Sequence, residues 1–182
     1  MKGKIIIAPP VDTGSLWDRT IILITEHDKN GSTGIILNKP SQMKMEDFGE
    51  RLGHTILDAN DDVVHIGGPV KPTSVSFLHT NDWKSSNTLI INDKMSISSA
   101  ADIVPRMAKG DRPRLWRLML GMCSWEPDQL RGEIDATPPW DHSLQWCVTS
   151  SNLSLIFDND EEDQWTRALD QCGIEFAQNM ML

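Results

Sequence analysis

The chain has 182 residues, of which 39% are hydrophobic and 24% charged, a composition typical of folded globular proteins. It carries 17 Lys and Arg against 26 Asp and Glu, which gives a formal net charge of −9. This acidic balance counts against a dedicated nucleic-acid-binding protein, because such proteins usually present a basic face. The length predicts a single domain over residues 1–182.

The cysteines and the N-terminal segment favour a cytoplasmic protein. Cys123, Cys147 and Cys172 form no CxxC pair, and their odd number is typical of a compartment in which thiols stay reduced. The segment MKGKIIIAPP has too short an apolar run for a secretory signal, which needs about 7–15 apolar residues. No stretch approaches the roughly 18 apolar residues of a membrane helix, so we predict no membrane contact.

Runs of β-branched residues predict three strands in the N-terminal part. The first is Lys4–Ala8, followed by Arg19–Glu26 and Thr33–Asn38. An Asn30-Gly31 step between the second and third strands predicts an antiparallel hairpin. Pro40 cannot donate a hydrogen bond to a ladder, so we expect it to end the third strand.

Helix and strand signals alternate through the rest of the chain. Apolar residues at helical spacing predict a helix over Met43–Leu52 that ends at Gly53. The expected strands are Asp62–Ile66, Val75–His79, Thr88–Ile91, Arg114–Gly121 and Ser154–Phe157. The expected helices are Ser98–Ala108 with Ser98 or Ser99 as N-cap and shortened by Pro105, Pro127–Glu133, and Glu161–Gln171 ended by Gly173. Irregular alternation with prominent hairpins predicts an α+β fold.

A basic cluster precedes and enters the predicted strand 114–121. Its members are candidate nucleic-acid contacts: Arg106, Lys109, Arg112, Arg114 and Arg117. Basic side chains around Trp116 could contact phosphates and stack on a base. The alternative is a solvated loop that docks against the acidic C-terminal third, since residues 118–182 carry 2 basic and 12 acidic groups.

No spacing of residues predicts a metal or cofactor site. His27, His65, His79 and His142 form no HxH or HxxxH pair, so no metal ligand is assigned and no cofactor is expected. Cys123 with a distant His is the minimum for thiol catalysis. We favour a buried structural thiol, because nothing nearby predicts a lowered pKa.

Several segments taken together resemble the AlgH/YqgE family of bacterial proteins. They are IIIAPP with Trp17–His27 and Gly31–Pro40, then His65–Val70 with Phe77–His79, then Leu120–Trp125 with Gln129, Glu133 and Trp140, and finally Phe157, Trp165 and Gly173-Ile174. The resemblance implies an α+β fold with a twisted, branched, mostly antiparallel sheet that closes into a partial barrel and is flanked by helices. It carries over no catalytic residue, since the family is largely of unknown function. One branch has been described as a transcriptional regulator.

Some positions shared with the family are polar or amphipathic, and a core alone would not require them. They are the candidate ligand- or partner-binding residues: Glu26, His27, Asn38, Trp125, Gln129 and Glu133. If they converge in one cleft, that cleft is the predicted site.

Three hypotheses about function follow. The leading one is a non-enzymatic cytoplasmic regulatory or interaction protein that acts through a protein partner or a small ligand at that cluster. The second is a hydrolase that uses His27 with Glu26 or Glu133. The third is nucleic-acid binding through Arg106–Arg117, which the net charge disfavours. The sequence identifies neither the partner nor the oligomeric state.

Overall fold

Short strands dominate the structure, a computed structural model that describes residues 1–12, 14–56, 62–99, 103–142, 144–157 and 161–181. Within these ranges the strands are β1 Lys4–Ile7, β2 Ile21–Asp28, β3 Gly31–Ile36, β4 Pro40–Lys44, β5 Val63–Ile66, β6 Val70–Thr80, β7 Leu89–Ile90, β8 Met95–Ser99, β9 Trp116–Trp125 and β10 Cys147–Ser150. The helices are α1 Met45–Arg51, α2 Ile103–Met107, α3 Gln129–Ile134, α4 Leu153–Phe157 and α5 Glu161–Met180. They form two units, residues 1–38 with 123–182 and residues 39–122.

The first unit is built on an antiparallel sheet in the order β10-β1-β2-β3, to which residues 123–125 of β9 add an edge. The apolar residues of β1 and β2 are buried without alternation, as expected where both faces of a strand are covered. Helix α5 covers part of this sheet, and the Trp165 indole donates to the Ala8 carbonyl at 2.8 Å. The core of this unit contains Ile6, Ala8, Ile22, Ile24, Ile36, Cys123, Trp125, Leu130 and Trp146.

The second unit is built around residues 116–122 of β9. They pair antiparallel with β6 and parallel with β5; since residues 123–125 pair with β3, β9 has three partner strands and the sheet branches there. Strand β6 continues to β8 and β7, while β5 pairs with β4. The core of this unit contains Met45, Phe48, Ile56, Val64, Phe77, Trp83, Ile103, Val104, Met107 and Leu118.

Gly121 makes the branching possible. Its φ of +74° is in the left-handed region, and a Cβ at this position would collide with the Gly68 carbonyl. Gly67 donates from its backbone N to the Leu120 carbonyl at 2.6 Å, and a Cβ on Gly67 would lie 2.5 Å from the Gly121 carbonyl. The two chain segments therefore approach more closely than residues with side chains allow.

Several predicted elements are confirmed. The β2–β3 hairpin is antiparallel, and β5 and β9 lie where strands are expected. Helix α1 ends as predicted, because Gly53 has a φ of +76° and donates to the Glu50 carbonyl. No helix in the described ranges is long and apolar enough to cross a membrane.

Other predicted elements are wrong at their ends or in type. Ser98 and Ser99 belong to strand β8 instead of capping a helix; residues 100–102 of that predicted helix lie outside the described residues. Pro40 begins the short strand β4, for which no strand was predicted.

The C-terminal part needs two further corrections. The segment 154–157 is within helix α4, and the last strand is β10. Gly173 does not end α5, since its position is open and helical and the helix continues to Met180.

Candidate functional site

Three of the six predicted site residues meet around one buried carboxylate. Glu133 Oε2 accepts hydrogen bonds from the indole Nε1 of Trp125 at 3.1 Å and of Trp146 at 2.8 Å. Glu133 Oε1 accepts from Gln129 Nε2 at 2.8 Å, and Gln129 Oε1 in turn accepts from the Glu126 backbone N. The cluster is thus saturated by bonds within the first unit, and it holds α3 against β9.

His27 and Glu26 both lie on strand β2 of the same sheet. His27 pairs with Ser32 across β2 and β3, and Ser32 pairs with Trp125, so these three residues share one face. Nδ1 of His27 is 2.7 Å from Oγ of Ser32. Glu26 points to the opposite face, where Thr33 Oγ1 donates to its carboxylate at 3.5 Å. Both side chains are exposed.

Asn38 does not join these residues. Its Oδ1 accepts from the Ile21 backbone N at 3.0 Å, and its Nδ2 donates to the Arg19 carbonyl at 2.8 Å. These bonds fix the chain at the start of β2, six residues from His27, which corresponds to roughly 20 Å along a strand. The predicted set of six therefore does not form one cleft.

Only part of the predicted basic cluster is exposed. Arg106 lies over the Trp83 ring at 4.1 Å and donates to Asp111 at 2.7 Å, which holds the pKa of that carboxyl below its usual range. Arg117 is buried. Lys109, Arg112 and Arg114 are exposed.

Trp116, the aromatic residue within that cluster, stacks on the Phe77 ring, with the two centroids 5.4 Å apart. One face of its ring is therefore occupied by the protein's own core.

Cys123, His65 and His79 are buried in the protein. Burial raises the pKa of the Cys123 thiol to about 12. His65 Nδ1 is bonded to the Val63 carbonyl, and His79 is bonded through both ring nitrogens. Over the parts of the chain that the structure describes, no three His, Cys, Asp or Glu side chains are grouped as metal ligands.

An open groove of about 660 Å³ lies in the second unit. Most of its lining is apolar, from strand β4, helix α1 and its C-cap, strands β6 and β9, and helix α2: Met43, Phe48, Leu52, Pro72, Val75, Val104, Pro105 and Leu120. The other lining residues are Arg51, His54 and Thr73. The volume is in the range of small-molecule sites, which are usually concave, mainly apolar and supplied with a few polar groups.

An irregular stretch of β6 forms one wall of this groove. The pairing with β9 jumps from Val70–Met122 to Val75–Leu120, so five steps along β6 match two along β9. Lys71, in the extra loop, has a φ of +48°, which is unfavourable for a residue other than glycine. Pro72 and Thr73 follow it and reach the groove. Bulges of this kind are frequent beside functional sites because they redirect side chains.

The groove could not be predicted from the sequence, because its lining has the residue types of a core. Phe48, Val75 and Val104 fall on the apolar faces expected for buried elements. Leu52 belongs to the predicted apolar helix 43–52, and only the structure shows that it is 52% exposed.

The comparisons with known proteins agree over nearly the whole chain. The model of the AlgH-like family matches residues 5–177. A UPF0301 protein of Shewanella denitrificans is 32% identical over 98% of this chain and 94% of its own length, and one of Caulobacter vibrioides is 31% identical over 94% and 87%.

Two solved structures are similar in fold. The solution structure of the AlgH protein from Pseudomonas aeruginosa matches with a TM-score of 0.77 at 22% identity, covering 100% of this chain and 93% of that one. The crystal structure of a protein from Corynebacterium diphtheriae matches with a TM-score of 0.70 at 20% identity, covering 91% and 83%. These matches confirm the fold class that the family resemblance implied.

Proposed function

The chain belongs to the AlgH-like family, and on this premise we propose that it is a non-enzymatic, cytoplasmic regulatory protein that binds a small, mainly apolar ligand. The observation that carries the proposal is the groove of the second unit, with its volume of about 660 Å³ and eight apolar lining residues. Binding an apolar ligand there would remove the apolar surfaces of the ligand and of the groove from water, which is the main source of affinity in such sites.

The arrangement of the candidate catalytic groups supports a binding function over the hydrolase alternative. A general base needs an orienting partner and a substrate within reach of its proton acceptor. His27 contacts a serine hydroxyl, and the carboxylate of Glu133 is already bonded to Trp125, Trp146 and Gln129. The Cys123 thiol is buried and protonated at neutral pH.

Regulation through a protein partner has more support than direct contact with nucleic acid. Arg117 is buried, Arg106 is paired with Asp111, and one face of the Trp116 ring is covered by Phe77. Glu26 and His27 are exposed on opposite faces at the end of β2, with His27 on the face of Trp125, and we assign the partner contact to this end of the strand.

A neutral apolar dye tests the groove. Nile red should bind the wild-type protein with a rise in fluorescence, and Leu52→Asp should weaken that binding about tenfold by placing a charge in the lining. Leu89→Asp is the matched control, because Leu89 is also 52% exposed, in the same unit, but does not line the groove. No dye binding, or equal losses in both variants, would refute the proposal.

A further inference from the structure

The lining of the groove carries a positive charge, although the protein as a whole is acidic. The chain has a formal charge of −9, yet no described Asp or Glu lines the groove, while Arg51 does. Arg51 is exposed, and its guanidinium makes no hydrogen bond or ion pair with any described residue. An arginine that has no carboxylate partner among the described residues and lies beside an apolar surface can bind the anionic group of a ligand.

A second polar side chain, that of His54, also lines the groove. The His54 ring lines the groove, is partly exposed and has no hydrogen-bond partner among the described side chains. Lys71 lies in the extra loop of β6, directly before the lining residue Pro72. Arg51 gives the lining a positive charge, while Leu52, Val75 and Leu120 keep the rest of it apolar.

We propose that the groove binds an amphipathic carboxylate, a molecule with an apolar chain and one terminal carboxyl group, and that Arg51 pairs with the carboxylate. This inference rests on the proposed function, because it names the ligand class of the same groove. The apolar chain lies on Phe48, Leu52 and Val75, and the guanidinium offers two parallel N–H groups to the two carboxylate oxygens. Each further methylene should strengthen binding about fourfold while the groove has room.

Charge complementarity also predicts weaker binding of other molecules of similar size. A neutral alcohol fills the apolar part but leaves Arg51 unpaired, and an amine places a positive charge next to the guanidinium. The affinity order predicted for eight-carbon probes is therefore octanoate, then octanol, then octylamine. The difference between octanoate and octanol should be about tenfold, the size expected of one charge-assisted pair at a partly exposed site.

Isothermal titration of the full chain with octanoate, octanol and octylamine, below their micelle concentrations, tests the inference. Arg51→Gln should lower octanoate affinity about tenfold to the level of octanol and leave octanol binding unchanged. Lys94→Gln, which removes one exposed charge of the same unit outside the groove, should change neither affinity. Equal affinity for octanoate and octanol, or equal losses of both in Arg51→Gln, would overturn the inference and leave the proposed function standing. If none of the three probes binds, the proposed function fails as well.

Discussion

Trp125 and Glu133 are joined by a hydrogen bond of 3.1 Å from the indole Nε1 to the carboxylate Oε2, in the buried interior of the first unit. The same oxygen accepts from Trp146, and the other oxygen accepts from Gln129. A carboxylate that accepts three N–H groups has a positioning role in the fold, since it anchors α3 and two indole rings at once.

Replacing this carboxylate by an amide should destabilise the protein. In Glu133→Gln one of the two acceptor oxygens becomes an NH₂ group that faces an N–H donor, so at least one buried donor loses its partner. We expect a loss of about 1–3 kcal/mol in the free energy of unfolding. Urea unfolding followed by tryptophan fluorescence measures it. Glu126→Gln is the control, because that side chain is exposed and should leave the midpoint unchanged. Equal midpoints for the two variants would contradict the anchoring role.

Acidification should destabilise the second unit through His79. Its Nδ1 is 2.8 Å from the Thr80 carbonyl, which can only accept, so Nδ1 carries the proton and Nε2 accepts from Ser98 Oγ at 2.9 Å. Burial lowers the pKa of His79 below its ordinary value of 6.5, against the opposing effects of the Thr80 carbonyl and Asp82.

The direction of this pH effect follows from the number of protons that the folded and unfolded chains bind. Below pH 6.5 the unfolded chain takes up a proton that the folded chain does not, so stability decreases as the pH falls through this value. Urea midpoints at pH 7.5 and pH 5.5 should differ more for the wild type than for His79→Gln. The same difference in both proteins would show that His79 does not contribute.

The three thiols should differ in reactivity towards iodoacetamide. With a pKa of about 12, Cys123 is a thiolate in only about one molecule in ten thousand at pH 8, and it is buried. Cys147 is exposed and serves as the internal reference. Mass spectrometry should find Cys147 modified first and Cys123 unmodified until the protein unfolds. Modification of Cys123 in the folded protein at the rate of Cys147 would revive the thiol-catalysis hypothesis.

A chromogenic ester tests the hydrolase alternative. We expect the protein not to hydrolyse p-nitrophenyl octanoate, because His27 is bonded to Ser32 and not to a carboxylate. Any background hydrolysis should be equal within about twofold in the wild type and His27→Ala. The release of p-nitrophenol at 405 nm measures the rate. A tenfold lower rate in His27→Ala would support the hydrolase alternative.

Local patterns predicted much of the fold. The Asn30-Gly31 turn and the β-branched runs beside it specified the β2–β3 hairpin, because both the turn and the strands are determined by neighbouring residues. The errors fall where tertiary contacts override local preference. Ser98 resembles a helix cap, but its hydroxyl bonds to the buried His79 on the paired strand β6.

The site was harder to predict than the fold. Polar side chains at family positions drew attention to Glu133 and Asn38, but their bonds are internal to the protein, and a sequence does not show which polar groups are already satisfied. The groove depends on the extra residues of β6 at Lys71 and on Leu52 being left uncovered, and both follow from packing between distant segments.

Methyl NMR of the full chain during titration with octanoate is the most direct test of ligand binding in the groove. We expect saturable chemical-shift changes at the methyl groups that line the groove, those of Leu52, Val75, Val104 and Leu120. The methyl groups of Ile24 and Leu130, in the core of the first unit, should stay unchanged. Shifts confined to the first unit, or no shifts at any methyl group, would contradict it.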